Sequence, residues 1–321
     1  MIDQPTLPLF DDQQLFDHIL KQHNPFFPEY YACYSSWLGG ITQTPQLMVL
    51  PIDDHMVHRG DGVFEALKAV GRSVYLIDEH LQRLFTSAEQ IGLTPPVTFS
   101  ELKTIIRQTL QVANRDEALI RIFLSRGPGS FSVNPYDSAA PQLYVIITKL
   151  TPPAPEKYTH GIHIGSSSIP PKSPWLSQIK SCNYLPNVLM KKEAVDRHLD
   201  FVIAINDQGQ ITESATENIM LIDSSGTLVH PPLTEMLKGT TMTRAFELAQ
   251  THNIPVAIRP LALDEVYSAR EIMITGTSLN VLPVVTYENQ SIGDGKPGPI
   301  AKQLNQWMIQ DIAAGKNGLT Y

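Results

Sequence analysis

The chain has 321 residues, 42% hydrophobic and 17% charged, which supplies packed cores and excludes a disordered chain. Acidic residues outnumber basic ones 32 to 24, a formal net charge of −8 that gives a nucleic-acid backbone no footprint. Two cysteines, Cys33 and Cys182, cannot build a disulfide framework, and no apolar run reaches membrane-spanning length, so no membrane partner is expected.

The opening residues, MIDQPTLPLFDDQQLF, place Asp and Pro where a signal peptide needs a basic start and an apolar run, so a cytoplasmic protein is expected. Residues 1–45 show no clear period and read as an irregular N-terminal arm. Residues 47–53 and Gly62–Val70 look strand-like, and Gly71-Arg72 ahead of residues 73–76 marks a tight turn, so a hairpin is expected. Asp78 stands as an N-cap before Leu81, Leu84, Phe85, Ala88 and Ile91, an apolar stripe of helical period that Gly92 ends. Ser100 caps a second amphipathic helix through Leu102, Ile105, Ile106 and Leu110, and Ala118–Ser125 and Gln142–Thr148 return to strand.

Thr151-Pro-Pro-Ala-Pro155 blocks helix and central strand, which predicts a linker over 151–157 between a small α+β domain (46–150) and a larger C-terminal domain (158–321). In the second half, residues 162–168 predict a strand and 184–198 a helix that tolerates Pro186 in its first turn. Phe201–Ile205, a turn at Asp207-Gln-Gly209, Asn218–Ile222 and a turn at Ser225-Gly226 read as consecutive antiparallel strands. Met242, Ala245, Phe246 and Ala249 space a helix over 240–253; residues 272–275 and 281–287 are strands, and 300–312 a closing helix. The ten histidines have no ligand-like spacing, His55 and His58 being the nearest pair, and no metal site is expected.

Four features carry chemistry if the fold brings them together. Lys180 sits between Ile179 and Ser181-Cys182-Asn183, where desolvation would free a neutral amine for bond formation to a carbonyl; a solvated strand-end lysine is the alternative. Gly239-Thr240-Thr241 opens an amphipathic helix whose free amides could bind a phosphate dianion, or is an ordinary threonine cap. Thr275-Gly276-Thr277-Ser278 is a second turn able to donate to a phosphate. Glu213 ends a hairpin strand, where a carboxylate among apolar residues needs a cationic partner such as a protonated pyridine nitrogen; Glu217 competes for that assignment. Arg83 is either a further phosphate ligand or a solvated helix residue.

At these residues the chain resembles the class IV, fold-type IV, pyridoxal-phosphate aminotransferases, a family that includes branched-chain and D-amino-acid aminotransferases and 4-amino-4-deoxychorismate lyase. Seven blocks in order carry the likeness: HRGDGVFEALK, DEHLQRLFTSAEQIGL, RIFLSRG, IKSCNYLPNVLMKKEA, ITESATENI, LKGTTMTR and EIMITGTSLNVLPV. The resemblance implies an α+β fold of two domains, a small N-terminal α/β sandwich and a larger C-terminal β-barrel-like domain with helices, joined in a homodimer. It implies transfer of an amino group between an amino acid, D or branched-chain, and a 2-oxo acid through a Schiff base of pyridoxal 5'-phosphate on Lys180. Elimination of pyruvate by a lyase is the alternative within the same fold. By motif, Glu213 would partner the ring nitrogen and Leu237 the ring face, while Tyr184 would lie near the ring 3-oxygen, although it follows the lysine one residue early. Arg83, Gly239, Thr240 through its backbone, Thr241 and Thr277 would hold the phosphate. Phe64, Arg121 and Arg126 would face the substrate. The Arg-x-His carboxylate trap of bacterial D-amino-acid enzymes is missing from Arg126-Gly-Pro-Gly-Ser-Phe-Ser, and Phe64 replaces their tyrosine, which leaves the handedness of the substrate open.

Overall fold

The computed structural model describes residues 7–315 and 318–321. In chain order the first half contains α1 (Asp12–Leu20), β1 (Tyr30–Ser35), β2 (Gly40–Thr42), α2 (His55–Arg59), β3 (Gly62–Val70) and β4 (Ser73–Val74). It continues with α3 (Ile77–Gln90), α4 (Phe99–Ala113), β5 (Ala118–Ser125) and β6 (Gln142–Thr148). The second half runs α5 (Pro155–His160), β7 (Ile162–Ser166), α6 (Pro174–Ser177), α7 (Leu185–Asp196), β8 (Phe201–Ile205), β9 (Ile211–Ser214), β10 (Asn218–Ile222) and β11 (Leu228–His230). The last elements are α8 (Thr240–Thr251), β12 (Val256–Ile258), α9 (Leu263–Ser268), β13 (Glu271–Gly276), β14 (Asn280–Tyr287), β15 (Gln290–Ser291), α10 (Pro299–Ala313) and β16 (Leu319–Thr320). No helix among the described residues is long and apolar enough to cross a membrane.

Alternation along β3 decides what the first sheet presents. Val63, Glu65, Leu67 and Ala69 point to one face, and Phe64, Ala66 and Lys68 to the other. On β5, which pairs with β3 from Gly62↔Ser125 to Ala69↔Ala118, Ile120, Ile122 and Leu124 share the first face while Leu119 and Arg121 share the second. The first face packs under α3 and α4, where Leu81, Leu84, Leu102, Ile106 and Leu110 are fully buried, each such side chain contributing about 1.5–3 kcal/mol. The second face looks toward the other half of the chain. The sheet order is β16-β4-β3-β5-β6-β1-β2, so the C-terminal strand returns to the first half.

The second sheet runs β12-β11-β10-β13-β14-β7-β8-β9, and a pairing of Asn218 with Glu213 joins β10 back to β9. Six strands thus close into a barrel filled by Ile162, Ile164, Ile203, Ile219, Ile274 and Leu282. Outside it, α8 and α10 pack Met242, Ala245, Leu304 and Met308 against Met220 and Met273. The α+β architecture with a barrel-like second half is as expected.

Several local expectations are corrected. Residues 30–42 are not part of an irregular arm, since β1 pairs with β6 and β2 with β1 inside the first sheet; residues 1–6 of that arm lie outside the described residues. Residues 47–53 form no strand, because Pro51 lacks a ladder donor and Asp54 accepts from Met56 N–H to cap α2. α3 starts one residue before Asp78, on a left-handed Leu76, and α4 is capped by Thr98 with Glu101 closing a capping box, not by Ser100. Pro155 opens α5 inside the expected linker, since proline at the first helical position removes no needed donor. β8 and β10 are not neighbours; β9 lies between them, and β7 pairs parallel to both β8 and β14.

Candidate active site

The second face of the first sheet, the residues after α6, the ends of β9 and β10, the start of α8 and the β13–β14 turn surround a cavity of about 260 Å³. A small hollow continues from it through Lys180, Tyr184, Asn218 and Leu237 to Glu213 and Lys172. A larger cleft of about 500 Å³ lies beyond Arg83 and Thr240, between α3 and α8, but neither Lys180 nor Glu213 lines it, so the reactive groups belong to the smaller space.

Lys180 is held by its backbone to the first sheet. Phe64 N–H donates to the Lys180 carbonyl and Cys182 N–H to the Gly62 carbonyl, both at 2.9 Å, so residues 180–182 lie as a short antiparallel strip along β3. Lys180 N–H donates to Ser87 Oγ at 3.2 Å. The buried amine is 4.6 Å from the Phe64 ring centroid and donates to Tyr184 Oη at 3.4 Å. Burial, reinforced by the Arg83 guanidinium, pulls its pKa down to about 8. Roughly a tenth of the amine is then neutral at pH 7, against under a thousandth for an exposed lysine.

Glu213 faces Lys180 from β9 and accepts from Leu237 N–H at 2.9 Å. Burial pushes its carboxyl up to about 7, opposed by that bond and by the Lys172 and Lys180 charges. Glu217 does not line the hollow that holds Glu213; it lines the wider cavity and accepts from the N–H and hydroxyl of its neighbour Thr216. Geometry therefore separates the two carboxylates that sequence left in competition.

Arg83 reaches down from α3. Its Nε and one terminal nitrogen donate to the buried Glu65 at 2.6 and 2.9 Å, and the other donates to the Lys238 carbonyl at 2.8 Å. Against the penalty of burial, Arg83 and His80 hold the Glu65 carboxyl well below the usual range. His80, kept neutral by burial, places Nδ1 at 2.7 Å from Glu65 and Nε2 at 3.1 Å from Thr240 Oγ1. An ionised Glu65 can only accept, so the proton is on Nδ1, Nε2 accepts, and the Thr240 hydroxyl donates to it. Only the backbone amide of Thr240 is left to face the cavity as a donor. An Arg83→Met substitution is expected to strand the Glu65 charge and lower stability by about 3 kcal/mol, read from the urea midpoint.

α8 begins on Gly239 with no side-chain cap, so the amides of its first turn are available. A Cβ at Gly239 would overlap Asn218 Oδ1, and Asn218 is itself fixed by donating to the Leu237 carbonyl at 2.9 Å. Thr241 lines the same wall. Across from it, Leu279 N–H donates to the Gly276 carbonyl and Asn280 adopts φ 57°, a turn and left-handed closing residue that bring Thr275, Thr277 and Ser278 to the cavity. Thr275 Oγ1 is buried with no hydrogen-bond partner among the described residues.

Among the substrate candidates, Phe64 and Arg121 line the cavity, and the Arg121 guanidinium has no ion pair or hydrogen bond among the described residues. Arg126 does not belong there. It grips Asp61 through two bonds of 3.0 Å and donates to the Ile91 and Gly92 carbonyls, tying the end of β5 to the loop before β3 and the end of α3. Sequence reasoning missed Lys172, Asn218 and the pair Glu65 and His80; the last two lie within the blocks that carry the family likeness, whereas nothing in the pattern around Lys172 marked it.

A family model, "Amino-transferase class IV", matches residues 62–287. A chloroplastic D-amino-acid transaminase of Arabidopsis thaliana is 36% identical over 297 residues, covering 89% of this chain and 78% of its own. A putative branched-chain-amino-acid aminotransferase of Methanocaldococcus jannaschii is 32% identical over 254 residues, covering 79% and 88%. Among solved structures, the T.th. branched-chain amino acid aminotransferase with pyridoxamine 5'-phosphate superposes with a TM-score of 0.84 at 22% identity, covering 89% of this chain and 95% of that one, a likeness of fold. The chain belongs to the class IV aminotransferases. It is a transaminase that works with pyridoxal 5'-phosphate.

The residues present fit that group. An uncapped helix start opposite an orphaned threonine hydroxyl suits a dianionic phosphate, a buried carboxylate suits a ring nitrogen, and a lysine of lowered pKa suits an aldehyde.

Proposed function

We propose that Lys180 is the residue that carries the cofactor and moves the proton at the substrate's α-carbon. The observation that supports this reading is the placement of its amine in one continuous space with Glu213 at one end and the start of α8 at the other. When bound, pyridoxal phosphate supplies an aldehyde that captures the amino group and a ring that draws electrons from the α-carbon. Glu213 holds a negative charge at the ring nitrogen, and Leu237 N–H keeps that carboxylate aimed. The amides of Thr240 and Thr241, the hydroxyl of Thr277 and the two uncommitted N–H groups of Arg83 bind the phosphate. Tyr184 orients the Lys180 amine, Phe64 and Leu237 bound the space for the ring, and Arg121 takes the substrate carboxylate. Gly239→Ala is expected to weaken cofactor binding about tenfold or more, because it displaces the helix start; a fluorescence titration of cofactor-free protein reads it.

D-amino acids are the proposed donors, supported by the stronger of the two likenesses in sequence, with 2-oxo acids as acceptors. The working form is a cytoplasmic homodimer; Leu185, Val188, Leu189 and Val195 on α7, with Trp175, form an exposed apolar surface suited to a second copy. A half-reaction screen of the yellow protein against D- and L-amino acids tests the substrate. Bleaching of the visible band by D-amino acids supports the reading, bleaching only by L-branched-chain amino acids moves it to the other class, and pyruvate release without an acceptor replaces it with a lyase.

A further inference from the structure

Lys172 shares the inner hollow with Glu213, Lys180 and Tyr184, and none of the roles above uses it. It lies in the segment between β7 and α6. Its ammonium sits 4.5 Å from the centroid of the Tyr184 ring, the tyrosine that accepts from Lys180, and it forms no ion pair within 4 Å among the described residues. Burial lowers the Lys172 pKa from its ordinary value, the Glu213 charge opposes that shift, and the Tyr184 ring face favours the charged ammonium.

The charged and titratable groups facing Glu213 are few. Tyr184 reaches it from the start of α7, Lys180 from the strip along β3, Lys172 from the loop before α6, Glu217 from the turn into β10, and Arg83 from α3. Arg83 is committed to Glu65 and the Lys238 carbonyl, and Glu217 adds like charge. Lys180 gives up its ammonium when its nitrogen bonds the cofactor's aldehyde. Lys172 then stays as a cation beside Glu213 and, unlike Arg83, it has no ion pair within 4 Å among the described residues.

We infer that Lys172 is a positioning residue: from the face of Tyr184 it maintains a standing positive charge beside Glu213, so that the carboxylate is ionised where it must meet the cofactor's ring nitrogen. The inference rests on the proposed role of Glu213. Burial alone would keep that carboxyl protonated near neutral pH, and the two lysines are the cations that draw it down.

The test uses the cofactor-loaded protein and two substitutions, with absorbance of the bound cofactor titrated from pH 5 to 9 and cofactor affinity measured at pH 7 by dialysis. Lys172→Met, which keeps the stem and removes the charge, is expected to move the acid-side midpoint of the visible band upward by about one unit and to weaken cofactor binding about tenfold. Lys172→Arg is expected to restore both. A Lys172→Met protein that titrates like the parent overturns the inference, as does failure of Lys172→Arg to rescue, which would assign the effect to packing. In a Glu213→Gln background the methionine substitution should add no further shift. If Glu213→Gln itself leaves the titration unmoved, it is the Glu213 assignment that falls, an outcome distinct from a silent Lys172→Met.

Discussion

Lys180→Ala is expected to reduce turnover about 10⁴-fold and to abolish the protein-bound visible absorption, leaving the cofactor held only by its noncovalent phosphate and ring contacts. Two losses combine in that substitution. The covalent attachment goes, and with it the base that has been brought within reach of the α-carbon. Borohydride treatment of the parent protein followed by peptide mapping should place the reduced cofactor on position 180, and a label at Lys172 or Lys68 would refute the assignment. The amine is primed for this before any cofactor arrives, since burial lowers its pKa to about 8. A buried lysine with a depressed pKa costs stability while it is charged. The cofactor-free protein should therefore gain stability as pH rises from about 8 toward 10.5, and Lys180→Ala should remove the Lys180 share of that gain, leaving the share of Lys68, whose pKa burial also lowers to about 8.

Glu213→Gln is expected to be the second most damaging change, lowering kcat by about 10²-fold or more while the substrate KM moves little. Glutamine keeps the shape and can still accept from Leu237 N–H, but it supplies no charge opposite a protonated ring nitrogen. The same substitution has an opposite effect without cofactor. Burial raises the Glu213 carboxyl from 4.5 to about 7, so its protonated form is favoured by folding; that contribution is full below pH 4.5 and is lost as pH rises through 7. Glu213 should weaken the cofactor-free parent by about 1–3 kcal/mol across that window, and the Gln variant should lose that component, which the difference between parent and variant in urea titrations at pH 4.5 and 8 can decide. An acid retained at a stability cost is the signature of a site shaped for its ligand.

The parts of the molecule most legible from sequence were those whose signal is local. GVFEALKAV alternates, and the same alternation that forms β3 puts Phe64 and Ala66 on the cavity face. The stripe from Leu81 to Ala88 is equally plain. β1 was hidden because YYACYS mixes aromatic, small and polar residues on both faces, so its strand character comes from pairing with β6, more than 100 residues away. Closure of the barrel depends on the contact of Asn218 with Glu213 and on parallel pairings of β7, none of which leaves a period in the chain. Within the site, Lys180, Glu213 and Thr240 were marked by neighbours of unusual size and polarity. Arg126 misled because an arginine beside a glycine after a strand has the look of a ligand-binding turn, although its odd spacing from Arg121 already sets the two on opposite sides. Lys172 was invisible, since a lysine between prolines and serine has no pattern until Tyr184 is folded against it.

The two-bond strip that fastens residues 180–182 to the edge of β3 means that the amine travels with the sheet of the first half, while the acid on the barrel and the helix start packed outside it belong to the second half. Their apposition is thus a gauge of how the halves are seated. A cofactor gripped at its aldehyde by one half and at its ring and phosphate by the other works mechanically as a rivet, and a slip of even one ångström along that seam would be felt at both ends of the molecule at once.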